Sequence, residues 1–256
     1  MKLLSLSKFQ IALLLILTSC IASCASIPAK GPETASDNGN PGLQPEASDS
    51  TGSNFDNPMI LQDPHLMETR RKIVDGGLSL VGKTKLVVHG RTYSNDCTGV
   101  VLASYAFGNI DLSLHFPKHS GNGVRRIFYT LDDENLLYRV EYPVAGDVIF
   151  WDNTYDANGN GLVDDEFTHV GLVVDVAADG LISYLHHHYR LGPVVEYMNL
   201  LLPESDFDET GRRINSALRM RGLGGDIGTN AAQVFKIFGQ GWRLPPTIES
   251  TPAVPE

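Results

Sequence analysis

Cysteine is scarce in this chain. Three cysteines stand in 256 residues, at positions 20, 24 and 97, too few for a disulfide framework to stand in for a hydrophobic core. Positive charge is also short. Lys and Arg number 20 against 30 Asp and Glu, a formal net charge of −10 with a pI near 5.2. A surface of that sign repels phosphate backbones, which argues against nucleic acid as a partner. Apart from one run near the N-terminus, no apolar stretch nears the length of a membrane-crossing helix, so a polytopic membrane protein is excluded. Hydrophobic residues make up 42 %, enough for a core and too many for a wholly disordered chain.

The N-terminal run reads as an export signal. Lys2 and Lys8 form a positive start, residues 11–17 are apolar, and small residues and cysteines follow. Leu17-Thr18-Ser19-Cys20 and Ile21-Ala22-Ser23-Cys24 each have the form of a lipoprotein signal. Cys24 is favoured for acylation because Cys24-Ala25-Ser26 runs directly into a linker. Cys20 is the alternative, and ordinary cleavage after Ala25 a third. Residues 25–57 are rich in Pro, Gly, Ser, Asn, Asp and Glu and cannot offset the entropy of ordering them. The expected organisation is a lipoprotein-type signal over 1–24, a disordered linker over 25–57, one domain over 58–243 and a Pro-rich tail over 244–256. The expected location is the cell envelope, either anchored to the membrane through lipid alone or secreted into the periplasm.

Periodicity predicts helices over 66–81, 98–107 and 124–138, with Gly76 and Gly77 weakening or kinking the first and Asn95 or Asp96 capping the second. Short strands are predicted over 147–151, 168–176, 181–188, 194–199 and 216–220, and a closing helix over 231–238. The strand connections are too short for crossover helices, so the sheet should be antiparallel and the class α+β.

Cys97 has no partner within the domain. An unpaired cysteine is either a small buried hydrophobe or a reactive thiol. Its place at a helix start favours the second, since free amides and the macrodipole there lower a thiol pKa. Gly99, a poor helix former in the first turn, implies a close approach by other backbone or a ligand. A thiolate nucleophile needs a base. His169 opens an apolar strand on which Val170, Leu172, Val174 and Val176 share the opposite face. In the next strand Ile182, Tyr184, His186 and His188 share a face, with Leu185 and His187 opposite.

These residues resemble a known family. Asn95-Asp96-Cys97-Thr98-Gly99-Val100-Val101 is similar to the Asp-Cys-Ser-Gly-aliphatic motif of the NlpC-type papain-like cell-wall cysteine peptidases, with Thr98 where Ser is usual. Pro143-Val144-Ala145-Gly146-Asp147-Val148-Ile149-Phe150-Trp151 resembles their Pro-Gly-Asp-aliphatic-aliphatic-aromatic motif. His169-Val170-Gly171-Leu172-Val173 and Tyr184-Leu185-His186 resemble their two histidine strands. The related CHAP amidases share the first three features. The resemblance spans about residues 68–200, and the stretch 111–139 is longer than a minimal member needs. It implies a papain-like fold with the nucleophile helix packed on an antiparallel sheet. It also implies cleavage of an amide bond of the peptidoglycan stem peptide or muramoyl linkage, with Cys97 as nucleophile, His169 as base and His186 orienting the His169 ring. His187 and His188 compete with His186 for that third role. Tyr93 is a candidate oxyanion donor by resemblance, and Asp96 either binds a substrate amino group or caps the helix.

No cofactor is required for such chemistry. One cluster nevertheless resembles part of a calcium loop: Asp156, Asn158, Asn160 and Asp164 at positions 1, 3, 5 and 9, Gly161 at 6, and Glu166 one place short of 12. The competing reading is an acidic hairpin turn. Zinc at His186 and His188 would need a third ligand from elsewhere. The expected function is an exported peptidoglycan hydrolase using Cys, His and His. The alternatives are a non-catalytic calcium-binding envelope module and an acyltransferase on the same fold.

Overall fold

The computed structural model describes residues 61–220 and 227–248. The expected signal, both Cys20 and Cys24, the linker and most of the expected tail lie outside the described residues. No helix among the described residues is long and apolar enough to cross a membrane.

Three α-helices stand among the described residues: α1 (Pro64–Leu78), α2 (Cys97–Phe107) and α3 (Gly123–Asp133). A hairpin of β1 (Leu86–Val88) and β2 (Arg91–Tyr93) separates the first two. Its two-residue turn, His89-Gly90, has positive φ at both positions, the backbone that matches the strand twist. The main sheet contains β3 (Leu137–Tyr138), β4 (Val148–Trp151), β5 (His169–Val176), β6 (Leu181–His188), β7 (Gly192–Asn199) and β8 (Phe235–Gly239), in the order β3-β8-β4-β5-β6-β7. Every pairing in it is antiparallel. The architecture is mixed helix and antiparallel sheet, compatible with the α+β expectation.

Strand alternation divides the core in two. Val148, Phe150, Val170, Leu172, Val174 and Leu185 pack with helix residues such as Ile73, Val100, Val101 and Ile127. Ile149, Trp151, Val173, Ile182 and Tyr184 form the other face, covered by Met198, Ala231, Val234 and Phe238. The helix α1 runs straight through Gly76 and Gly77. A Cβ on Gly76 would come within 2.1 Å of the Phe107 ring, so the glycine is what lets α2 approach.

Three expected elements differ. The helix predicted over 124–138 ends at Asp133, because Asn135 adopts φ 54° and the next residues pair with β8. The helix predicted over 231–238 is a turn over 231–234 followed by strand β8: Phe238 fills the second core and the backbone pairs with β4. The strand predicted over 216–220 is reduced to one bridge, Ala217 with Asn230. After Arg243 the chain stays attached as far as Ile248, through N–H bonds from Thr247 and Ile248 to the Asn109 carbonyl at 2.8 and 3.0 Å.

Candidate active site

Asp96 caps α2. Its carboxylate accepts the Gly99 N–H at 2.7 Å and the Ser94 hydroxyl at 3.0 Å, which satisfies an otherwise orphan donor at the helix start. A Cβ on Gly99 would stand 1.8 Å from the Ser94 carbonyl oxygen. The close approach expected at Gly99 is therefore the capping loop itself.

This arrangement works against the expected thiolate. Burial, with the Asp96 charge added, pushes the Cys97 thiol up to about 11. The helix end would stabilise an anion, but the capping carboxylate already occupies it. The backbones of Val170 and Thr98 and the Thr98 side chain act on the thiol in the opposite sense without prevailing. The contact with Val170 brings the thiol to the first residues of β5. Helix α2 packs on β5 and its first residue lies near the start of that strand, while the His169 ring meets Trp151 and His186. Tyr155, which sequence reasoning missed, lies within electrostatic reach of the thiol and lines a small cleft with Asp156, Asp165 and Arg219.

His169 begins β5 because the segment before it is fastened on several sides. Phe167, at φ 56°, gives its N–H to Asp152 at 2.7 Å, and its carbonyl accepts the Asn122 side-chain N–H at 3.1 Å. Its ring lies under Lys236 and Arg125 and against Phe128. Thr168 accepts the Thr154 N–H at 2.9 Å. Within the long 111–139 stretch, α3 supplies two of these contacts, from Arg125 and Phe128, and its N-cap Asn122 a third.

The histidines of β6 separate by parity. His186 is buried, with Nδ1 2.8 Å from His169 Nε2 and Nε2 3.1 Å from Glu196 Oε2. His187 points to the opposite face, within electrostatic reach of Asp96, and His188 Nδ1 accepts N–H groups of the following turn. Of the three, His186 is the one that touches His169. Burial, and then the neighbouring histidines, hold the His169 ring well below the usual imidazole range, so it is neutral. Burial acts to raise the Glu196 carboxyl, but the hydrogen bond and charge of His186 bring it below the usual carboxylate range. Trp151 and Tyr184 pack against these rings. The buried Tyr184 hydroxyl lies beside Glu196 without closing a hydrogen bond to it. Glu196 was missed in the sequence, where only a carboxylate on the next strand hinted at it.

Tyr93 is buried, and Arg91 and Asp111 act on its hydroxyl. In the acidic loop, Asp156 accepts the N–H groups of Gly159 and Gly161 at 2.7 and 2.9 Å. The Asn158 and Asn160 amides both donate to Asp164 at 3.0 Å. Glu166 turns out to Lys236 and Arg125 and does not join the set. Among the described residues no three His, Cys, Asp or Glu side chains converge as a metal site. A calcium ion would have to displace the Asn–Asp bonds and take ligands other than Glu166. Comparison with protein families, curated proteins and solved structures finds no match.

Proposed function

We propose that this chain is an exported, lipid-anchored peptidoglycan hydrolase of papain-like fold, cleaving an amide of the stem peptide or the muramoyl linkage. The observation that carries this reading is the hydrogen-bonded row His169–His186–Glu196 on three strands, with the free thiol of Cys97 at the start of α2, the helix that packs on β5. A nucleophile, a base and an oriented partner are the parts amide cleavage needs. The motif resemblance supplies the substrate class, and the N-terminal sequence supplies the export route.

In this mechanism both Cys97 and neutral His169 rest uncharged. His169 removes the thiol proton as sulfur attacks the amide carbon. The C–N bond breaks as His169 returns that proton to the leaving amine. Water, activated by the same imidazole, then hydrolyses the thioester, releasing a carboxylate and the free thiol. The N–H of Cys97 at the helix start is the oxyanion donor in this scheme. Closing the Cys97–His169 contact accompanies substrate binding, as catalytic hydrogen bonds often tighten only in the complex.

Incubating the protein with purified peptidoglycan and analysing the fragments by mass spectrometry tests the reading and names the bond. New amine and carboxylate ends that disappear with Cys97→Ser are expected; intact material would refute it, and transfer of the acyl group to an added amine would mark a transferase. Fatty-acid labelling that is lost when Cys20 and Cys24 are both changed to Ser is the expected sign of the anchor.

A further inference from the structure

A tetrahedral intermediate on Cys97 carries its negative oxygen near the start of α2, where the Cys97 N–H supplies one donor. Arg91 and Asp111 already act on the Tyr93 hydroxyl, which leaves the place of a second donor open.

His187 stands on the side of the sheet where that place lies. On β6 it shares parity with Leu185, which belongs to the helix-side core. Leu172 pairs with Leu185, and the same antiparallel register carried two residues on sets His187 across from Val170. Both side chains of such a pair point to one face, here the face on which α2 packs against β5 and β6. The Val170 backbone acts on the Cys97 thiol, and the Asp96 charge acts on the His187 ring. The rings of His169 and His186 meet on the other face.

The His187 ring is half-buried, and its Nε2 is buried with no hydrogen-bond partner among the described residues. Folding takes this nitrogen out of water and returns nothing for it, a cost that calls for an explanation. The Nε2–H tautomer and the imidazolium both present a proton there. A donor that is idle in the free chain and finds its partner only when charge develops lowers the barrier without stabilising the bound substrate.

We propose that His187 is a further catalytic residue, the side-chain donor that joins the Cys97 N–H in holding the oxyanion. As the Cys97 sulfur bonds the amide carbon, the C=O electron pair moves onto oxygen. It returns as the C–N bond breaks, and His187 keeps its own proton throughout. The proposal rests on the reading of Cys97 as the nucleophile, but a small aldehyde tests it without any turnover. N-acetylglycinal adds the thiol across its C=O, the thiol proton passing to oxygen, and sets that oxygen where the oxyanion would stand.

His187→Leu removes the donor, while His187→Gln returns a side-chain N–H close to the position of Nε2. In His187→Leu, kcat on peptidoglycan should fall about 10²-fold with KM unchanged, and the aldehyde should bind more weakly by a similar factor. Alkylation by iodoacetamide, which forms no oxyanion, should keep its rate. His187→Gln should recover kcat and aldehyde affinity to within about tenfold of the parent. In the unsubstituted full chain, nitrogen NMR assigned with His187→Gln should show the His187 Nε2 signal move when the aldehyde binds. An Nε2 signal that stays in place overturns the proposal. So does a His187→Leu chain that binds the aldehyde as tightly as the parent, or a His187→Gln chain no better than His187→Leu. If His187→Leu does not fold, the Nε2 signal still decides. If peptidoglycan is not cleaved while the aldehyde results hold, the function reading fails and the donor assignment stands.

Discussion

Beside Cys97, Asp96 stabilises a helix and destabilises an anion with the same carboxylate. Its contact with Gly99 N–H is of the kind worth roughly 1 kcal/mol to a helix, while its charge and the burial around it hold the thiol protonated. Alkylation of the free chain by iodoacetamide should accordingly titrate near pH 11, well above the value of about 8.5 for a free thiol; a midpoint below 8.5 would mean that the thiolate forms before substrate arrives. Cys97→Ser should abolish amide cleavage and leave the melting temperature nearly unchanged. Gly99→Ala drives a methyl into the Ser94 carbonyl and should cost about 1–3 kcal/mol, read as a lower denaturation midpoint. The places of Cys97 and His169 were legible because each sits at the start of an element that the sequence punctuates clearly. His186 was legible only up to parity, since period-2 alternation separates it from His187 but not from His188. Glu196 was not legible, because which residue of β7 faces His186 depends on register and register is a property of the paired strands. The thiol's protonation was misread because the dipole is visible in the sequence and burial is not.

At the scale of elements, Asp147 ties together pieces that are far apart in sequence. Fully buried at the approach to β4, it accepts the Val144 N–H and the Trp242 indole N–H, both at 2.8 Å, and bonds the Tyr138 hydroxyl. The Arg70 guanidinium of α1 adds its charge, yet burial dominates and raises the carboxyl to about 6. A folded chain that holds this proton more tightly than the unfolded one loses stability as pH rises from about 4 to about 6, by about 3 kcal/mol at most. Asp147→Asn removes that dependence. Its melting temperature relative to the parent should therefore rise between pH 4.5 and 7.5; a constant difference would show that Asp147 keeps an ordinary pKa. The elements that carry the site were the easier ones to read: α1 and α2 by helical spacing, β4 to β7 by alternation. The helix predicted over 231–238 failed because an apolar run of that length fits either period, and pairing with β4 decides for strand. The hairpin β1–β2 was missed because three residues show no period at all.

For the molecule as a whole, the two faces of one sheet divide the labour. One face receives the helices, with Cys97 at the start of α2, and on the other the rings of His169 and His186 meet beside Trp151 and Tyr184. The acidic loop at the rim closes through its own amide and N–H donors, so thermal melts in EDTA and in millimolar calcium should coincide; a higher melting temperature in calcium would mean that a cation opens and reorganises the loop. The bonds from Thr247 and Ile248 to Asn109 act at the far end of α2 from Cys97. An 11-residue helix is about 16 Å long, so the segment held at Thr247 and Ile248 is anchored a full helix length away from the thiol. A probe attached at the exposed Pro246 would therefore report on the domain from a point well clear of Cys97.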